Sequence, residues 1–253
     1  MAKKPRRTHL VIPDAQLKPG VEATHLRACS NLIEARRPEV IINIGDFWDM
    51  PSLSAYDAPG SKKTEGRRVQ ADIDSGNKAM EILLSAWHGK KGYTPEMHFF
   101  LGNHENRIER AIEANPKFEG TLGYHQLNLD KWKVHDFLKP HVIDGIAYCH
   151  YFYSPMSGKP IGGDARAMLG KIGFSFVQGH RQELSYARKE LANGRTLHGL
   201  VAGAFHMHDE EYKGHQAADH WRGVCLLHEV HNGEYDLEII GLDRLIAEYG
   251  SSK

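Results

Sequence analysis

The sequence predicts an α/β fold of two packed, mixed β-sheets flanked by helices. Three observations predict it. The first segments run strand, helix, strand, the order of a parallel βαβ unit. The second half is rich in short strand-like runs and closes on the hairpin signal Asn232-Gly233. Chemistry-bearing side chains stand just after the apolar runs, where open α/β sheets place their ligands. A chain of 253 residues can bury one large core. Residues 1–253 are therefore read as a single domain with a basic tail over 1–7 and a loop insertion over 50–68.

Residues 8–13 form a buried strand feeding a loop. Leu26, Ala28, Leu32 and Ile33 fall at helical spacing and predict a helix over 21–37, stopped by Pro38. The continuous apolar run over 40–44 is a second strand ending at Gly45-Asp46. Residues 50–68 are rich in Pro, Gly, Ser and charge and read as a long loop of the kind that often borders a site. Ile73, Ala79, Met80, Ile82, Leu83 and Leu84 predict a helix over 69–88. A third strand over 97–101 enters the turn Gly102-Asn103-His104-Glu105 and a helix over 105–114. Strands are expected over 132–137 and 142–151, a short helix over 163–170 and a strand over 174–177. The remaining strands cover 184–189, 197–204, 224–230 and 235–240. The early parallel units and the later meander predict the two sheets.

Lys plus Arg and Asp plus Glu number 32 each, so the whole chain has no bias toward nucleic acid or membrane. No apolar stretch of 18 residues occurs, and no membrane partner is expected. Cys29, Cys149 and Cys225 are scattered and form no C-x-x-C pair. That argues against a disulfide framework or a zinc ribbon and points to a reducing cytoplasm. Seventeen histidines raise the expectation of metal binding without assigning it.

Asp14-Ala15-Gln16, Gly45-Asp46-Phe47-Trp48-Asp49, Gly102-Asn103-His104-Glu105 and Gly179-His180-Arg181-Gln182 each follow an apolar run, and His150 ends another. Carboxylates and imidazoles at separate strand ends can converge on one sheet edge, as a dinuclear hydrolytic site requires. Asp46, flanked by Gly45, can bridge two cations about 3.5–4 Å apart. Taken alone it also reads as a turn residue capping the next helix. Asn103 offers a neutral oxygen ligand but also fits an N-cap, and His150 and His180 fit satisfied buried histidines. Their placement after separate strands makes coincidence the weaker reading.

The order D-x-Q, G-D-x-x-D, G-N-H-E, a lone strand-end His and then G-H, over residues 11–182, resembles the calcineurin-like metallophosphoesterases. The resemblance implies a four-layer α-β-β-α sandwich with two divalent metal ions. By position it implies that Asp46 bridges the metals, that Asn103, His150 and His180 complete one site, and that Asp14 holds the other, with Gln16 and Gln182 in its two remaining ligand positions. His104 resembles the family's substrate-facing histidine, which stabilises or protonates the leaving oxygen. Asp49 and Glu105 would orient His104 and the metal-site residues. The implied reaction is in-line attack of a metal-bound hydroxide on phosphorus, with both metals neutralising the developing charge.

Gln16 and Gln182 stand where the family has histidines, both on the metal held by Asp14. An amide oxygen is a harder and weaker ligand than imidazole, which favours Mn²⁺ or Mg²⁺ over Zn²⁺, Fe or Ni²⁺. Two alternatives stay open: neither glutamine touches metal, or His206 or His208 replaces a missing ligand. The six histidines from His206 to His231 are read by preference as surface residues. Met50-Pro51 follows G-D-x-x-D where the Ser/Thr protein phosphatases have Arg-Gly, which argues against that branch. Arg67, Arg68 and Arg107 are candidate phosphate contacts and read equally well as solvated or helix-end arginines. The layout, including Trp221-Arg222-Gly223, resembles metallophosphoesterases of bacteriophages and prophages. That implies a phosphodiesterase or nuclease acting on DNA or a nucleotide. The competing readings are a phosphomonoesterase or protein phosphatase, and a non-catalytic phosphate-binding protein with one degenerate metal site.

Overall fold

The computed structural model describes residues 6–55, 64–208 and 220–251. Residues 1–5 of the basic tail and 56–63 of the expected loop lie outside the described residues. In chain order the strands are β1 (Arg7–Ile12), β2 (Val40–Asn43), β3 (Glu96–Phe100), β4 (Lys133–His135), β5 (His141–Ile143), β6 (Ile146–Tyr148), β7 (Phe176–Gln178), β8 (Leu184–Glu190), β9 (Thr196–Ala202), β10 (Gly223–His231) and β11 (Glu234–Gly241). The helices are α1 (Thr24–Arg36), α2 (Val69–Leu84), α3 (Arg107–Ala114), α4 (Ala165–Ile172) and α5 (Leu242–Tyr249).

The first sheet has the order β11-β10-β1-β2-β3-β4, the second β5-β6-β7-β9-β8. Strands β1 to β4 are mutually parallel, as are β6, β7 and β9, while antiparallel strands complete both sheets. Alternation along each strand sends successive side chains to opposite layers. Leu10 and Ile12 of β1 face a core with Leu26 and Leu32 of α1, Leu83 of α2, Ile108 of α3 and Leu245 of α5. Val11, with Val40 and Ile42 of β2, instead meets Tyr148, Val177 and Leu200 of the second sheet. Met168 and Leu169 of α4 cover that sheet's far face against Ala147, Phe176 and Val201. The result is four layers, α-β-β-α.

Burial holds these layers. Each fully buried Leu, Ile or Val removes about 1.5–3 kcal/mol of unfavourable hydration. Helices α1, α2 and α3 have no side-chain hydrogen bond at the N-cap, so their apolar faces must stabilise them. Among the described residues no helix is long and apolar enough to cross a membrane.

Three elements differ from expectation. The strand expected over 142–151 is a hairpin, because Asp144 (φ 48°) and Gly145 (φ 89°) both adopt the left-handed backbone of a tight turn. Asp144 ties that turn to β1, lying 2.6 Å from Arg7 Nη2 and 3.1 Å from His9 Nε2. The late strands do not all form the second sheet: β10 and β11 return to the first, with β10 antiparallel to β1. Helix α5 was not expected, although Leu242, Leu245, Ile246 and Tyr249 have helical spacing. It docks on α1, where Asn31 Nδ2 donates to the Tyr249 carbonyl at 2.8 Å.

Candidate metal centre

The ends of β1, β2, β3, β6 and β7 deliver Asp14, Asp46, Asn103 with His104, His150 and His180 to one region. The glycines of the motifs make the approach possible. A Cβ on Gly45 (φ 95°) would stand 2.5 Å from the Phe100 carbonyl, one on Gly102 would overlap the Asp46 carboxylate, and one on Gly179 would overlap Asp14 Oδ1. Gln16, Asp46, His180 and Gln182 all have positive φ, between 48° and 69°. Side-chain-bearing residues in this region cost about 1–3 kcal/mol each and concentrate at functional sites.

Glu105 is fully buried and locks two of these turns together. Its Oε2 accepts the Asp46 and Gly102 N–H groups at 2.9 and 2.8 Å, and its Oε1 accepts those of Phe47 and Trp48 at 2.7 and 2.9 Å. Burial and Asp46 push its pKa up, while these N–H groups favour the ionised form. Asp46 Oδ1 accepts the His104 N–H at 2.9 Å.

One half of the site gathers around Asn103. His150 Nδ1 lies 2.8 Å from the Ile44 carbonyl, which requires a proton on Nδ1. The other nitrogen, Nε2, thereby faces Asn103 Oδ1 at 3.0 Å and Asp46 Oδ2 at 3.3 Å. His180 Nδ1 is 2.8 Å from the same Asn103 oxygen. One ligand atom each from Asp46, His150 and His180 lies within 4.8 Å of the others. Burial opposes charge here, but Asp46 raises His150 to about 9, and His104 first and His150 second hold Asp46 well below the usual carboxylate range.

The other half gathers around Asp14. Its Oδ1 accepts the His180 N–H at 3.1 Å, whereas Oδ2 is buried without a partner, as is Gln16 Oε1. Burial first, and Asp46 second among the groups acting in that direction, raise Asp14 to about 7. Gln182 Oε1 is 3.3 Å from His206 Nε2, and His206 Nδ1 is 2.8 Å from the His208 carbonyl. His206 is fully buried, which corrects its reading as a surface residue. The Phe205 N–H donates to the Asp14 carbonyl at 2.8 Å and so draws the segment after β9 beneath β1. His208 is half-buried.

These residues fit divalent cations. A buried carboxylate oxygen and a buried amide oxygen that find no donor, beside the His150 Nε2 oriented by its far-side bond to the Ile44 carbonyl, are what a cation satisfies. His104 sits beside them. Its Nδ1 is 2.8 Å from Asp49 Oδ1, and its Nε2 is 3.7 Å from Asp46 Oδ2 and 3.1 Å from Arg107 Nη2. Asp46 and Asp49 raise its pKa against the opposing effect of burial. Asp49 also meets Lys18 Nζ at 2.9 Å, a neighbour that no sequence signal indicated.

Arg107 is buried and donates to the Asp49 carbonyl at 2.7 Å and the Met50 carbonyl at 3.3 Å, which fixes the loop that carries Asp49. Arg67 donates to the Pro51 carbonyl at 2.9 Å, and the exposed Arg68 donates to the Arg67 carbonyl at 2.9 Å.

No family model matches the chain, and no curated protein matches it. Among solved structures it is similar to the crystal structure of a conserved uncharacterized protein (predicted phosphoesterase) from Streptococcus pneumoniae TIGR4. The identity is 8%, the TM-score 0.36, and the match covers 93% of this chain and 99% of that one.

Proposed function

We propose that the protein is a metal-dependent phosphoesterase with a dinuclear centre at the strand ends, and that its substrate is a phosphodiester of a nucleic acid or nucleotide. One observation carries the reading: Asp46, Asn103, His150 and His180 converge from four strand ends beside Asp14 Oδ2 and Gln16 Oε1, two buried oxygens without a donor. When bound, two divalent ions, Mn²⁺ or Mg²⁺ ahead of Zn²⁺, would supply Lewis acidity and an activated water.

Asn103, His150, His180 and Asp46 would hold one ion, and Asp14, Gln16 and Gln182 with the shared Asp46 the other. Glu105 keeps the Asp46 turn from moving as charge develops. His104 would face the leaving oxygen through Nε2. Asp49 holds the ring at Nδ1 and favours its protonated form, while the Arg107 guanidinium, a donor only, faces Nε2 and must yield that nitrogen before it can pass a proton to the leaving oxygen. Arg107 directs a second positive charge toward the same place. The diester preference rests on the sequence resemblance.

The test is hydrolysis of bis-p-nitrophenyl phosphate against p-nitrophenyl phosphate, with single-stranded and duplex DNA in parallel, under saturating Mn²⁺. Turnover of the bis-ester should exceed that of the mono-ester, and Asp46→Asn should lower it by about 10²–10³-fold or more. An unchanged rate in that variant overturns the assigned bridge. The contact between Gln182 Oε1 and His206 favours a second reading, a phosphate binder holding a single ion. One Mn²⁺ per chain without turnover would select it.

A further inference from the structure

A second group of metal-seeking side chains lies away from the strand ends. His98 of β3, His135 of β4 and His141 of β5 each offer a ring nitrogen, and the three atoms lie within 4.8 Å of one another. Two of the strands are neighbours in the first sheet, and the third is the edge of the second. The histidines thus meet across the seam between sheets. We propose that His98, His135 and His141 form a separate site for one borderline transition-metal ion of the Zn²⁺ class, which staples the two sheet edges together.

The geometry is close to what such an ion needs. His98 Nδ1 and His135 Nε2 are 2.9 Å apart. Two imidazole nitrogens at tetrahedral positions on zinc, with bonds of about 2.0–2.1 Å, stand about 3.3 Å apart. The 2.9 Å contact is a hydrogen bond between the rings, and an ion would replace its proton and part the nitrogens by a few tenths of an ångström. His135 and His141 stack with centroids 4.3 Å apart and planes at 27°, and His98 and His135 are nearly coplanar in tilt at 5°. An ion would turn these rings about χ2 out of their stacked arrangement, so that their in-plane lone pairs meet at one point.

The surroundings supply the orienting bond that metal-bound histidines usually have on the far nitrogen. His98 Nε2 lies 3.4 Å from Glu96 Oε2, which leaves Nδ1 turned to His135. Glu96 is itself placed by Arg7, whose Nη1 is 3.0 Å from Oε1. Phe100 stacks under His135 at 4.4 Å and closes one side. His98 is buried, His135 half-buried and His141 exposed, so an ion can enter from solvent and keep a solvent-facing fourth position. Three neutral nitrogens and no directly facing oxygen select Zn²⁺, Ni²⁺ or Cu²⁺ over Mg²⁺ or Mn²⁺.

The full-length protein, stripped with chelator, should be titrated with Zn²⁺ by calorimetry and with Co²⁺ by visible absorption. Wild type should bind one more Zn²⁺ per chain than His135→Ala/His141→Ala. The extra equivalent should survive in His180→Ala, which disables only the strand-end centre. Zn²⁺ should raise the melting temperature of His180→Ala and leave that of a triple variant also lacking His135 and His141 unmoved. His141→Ala alone removes an exposed side chain from an edge strand, so it tests the site even where the double variant folds poorly. Glu96→Gln should weaken the extra site about 10–100-fold. Equal Zn²⁺ stoichiometry in wild type and His141→Ala, with no change in affinity, would overturn the proposal and leave the three rings as packing. Loss of the extra equivalent in His180→Ala would also overturn it. Failure of phosphoester turnover bears on the strand-end reading alone.

Discussion

The strand-end centre and the seam cluster both gather histidines, yet they are built by opposite means. At the strand ends the side chains stand on turns, four of them in left-handed backbone, and three glycines admit close contact between those turns. At the seam the histidines stand on the regular strands β3 and β4 and on β5, with none of the three at positive φ. The strand-end donors are mostly oxygens, from Asp14, Gln16, Asp46, Asn103 and Gln182, and the seam donors are all nitrogens. Charge differs too. Asp46 raises His150 to about 9 against the pull of burial, whereas burial lowers His135 to about 4. Donors of mixed chemistry thus meet on turns, four of them in left-handed backbone, while the three like donors of the seam meet through strand register.

The largest expected effect separates the two regions by breaking the first. Glu105→Gln replaces an acceptor of four N–H groups with an amide whose NH₂ must face two of them. It should cost about 3 kcal/mol in chemical denaturation and reduce turnover, while Zn²⁺ binding at the seam stays unchanged. Loss of both together would show that the regions are not independent.

A smaller effect strikes the seam's support. Asp144 accepts from His9 and Arg7, and Arg7 in turn positions Glu96. His9 first, then Arg7, hold the Asp144 carboxyl below the usual carboxylate range, against burial. Its folded pKa lies below its unfolded one, so its contribution is present above about pH 4 and is lost as pH falls further. Asp144→Asn should cost about 2 kcal/mol at pH 7 and nearly nothing at the acid end. A pH-independent loss would place the effect in packing. The smallest effect makes one region more like the other. Gln16→His with Gln182→His adds nitrogen donors to the Asp14 half and should shift its preference toward Zn²⁺ over Mn²⁺ by about tenfold, near 1.4 kcal/mol. Unchanged preference would show that the glutamines do not touch the ion.

Legibility followed the range of the interactions. Residues 40–44 announce β2 because a buried parallel strand is apolar on both faces, and Gly45-Asp46 marks its end. Asp144-Gly145 is as strong a turn signal as Asn232-Gly233, but the apolar run around it masks the hairpin that the structure contains. Helix α5 has a readable stripe, Leu242, Leu245, Ile246 and Tyr249, following directly on β11 with no loop to announce it. Glu105 is visible in G-N-H-E, while its four N–H partners on two turns are not. His98, His135 and His141 have no informative spacing, because β3 pairs with β4 and β5 belongs to the other sheet.

The sequence by itself determined the strand-end residues, the parallel core that carries them and the two-sheet class, since each rests on a local pattern of apolar runs and turn residues. The tertiary structure alone decided that β10 and β11 rejoin the first sheet, that His206 is buried against Gln182, and that three distant histidines meet at a seam. Those are contacts between segments far apart in the chain, fixed by strand order and sheet packing, and no local pattern encodes them.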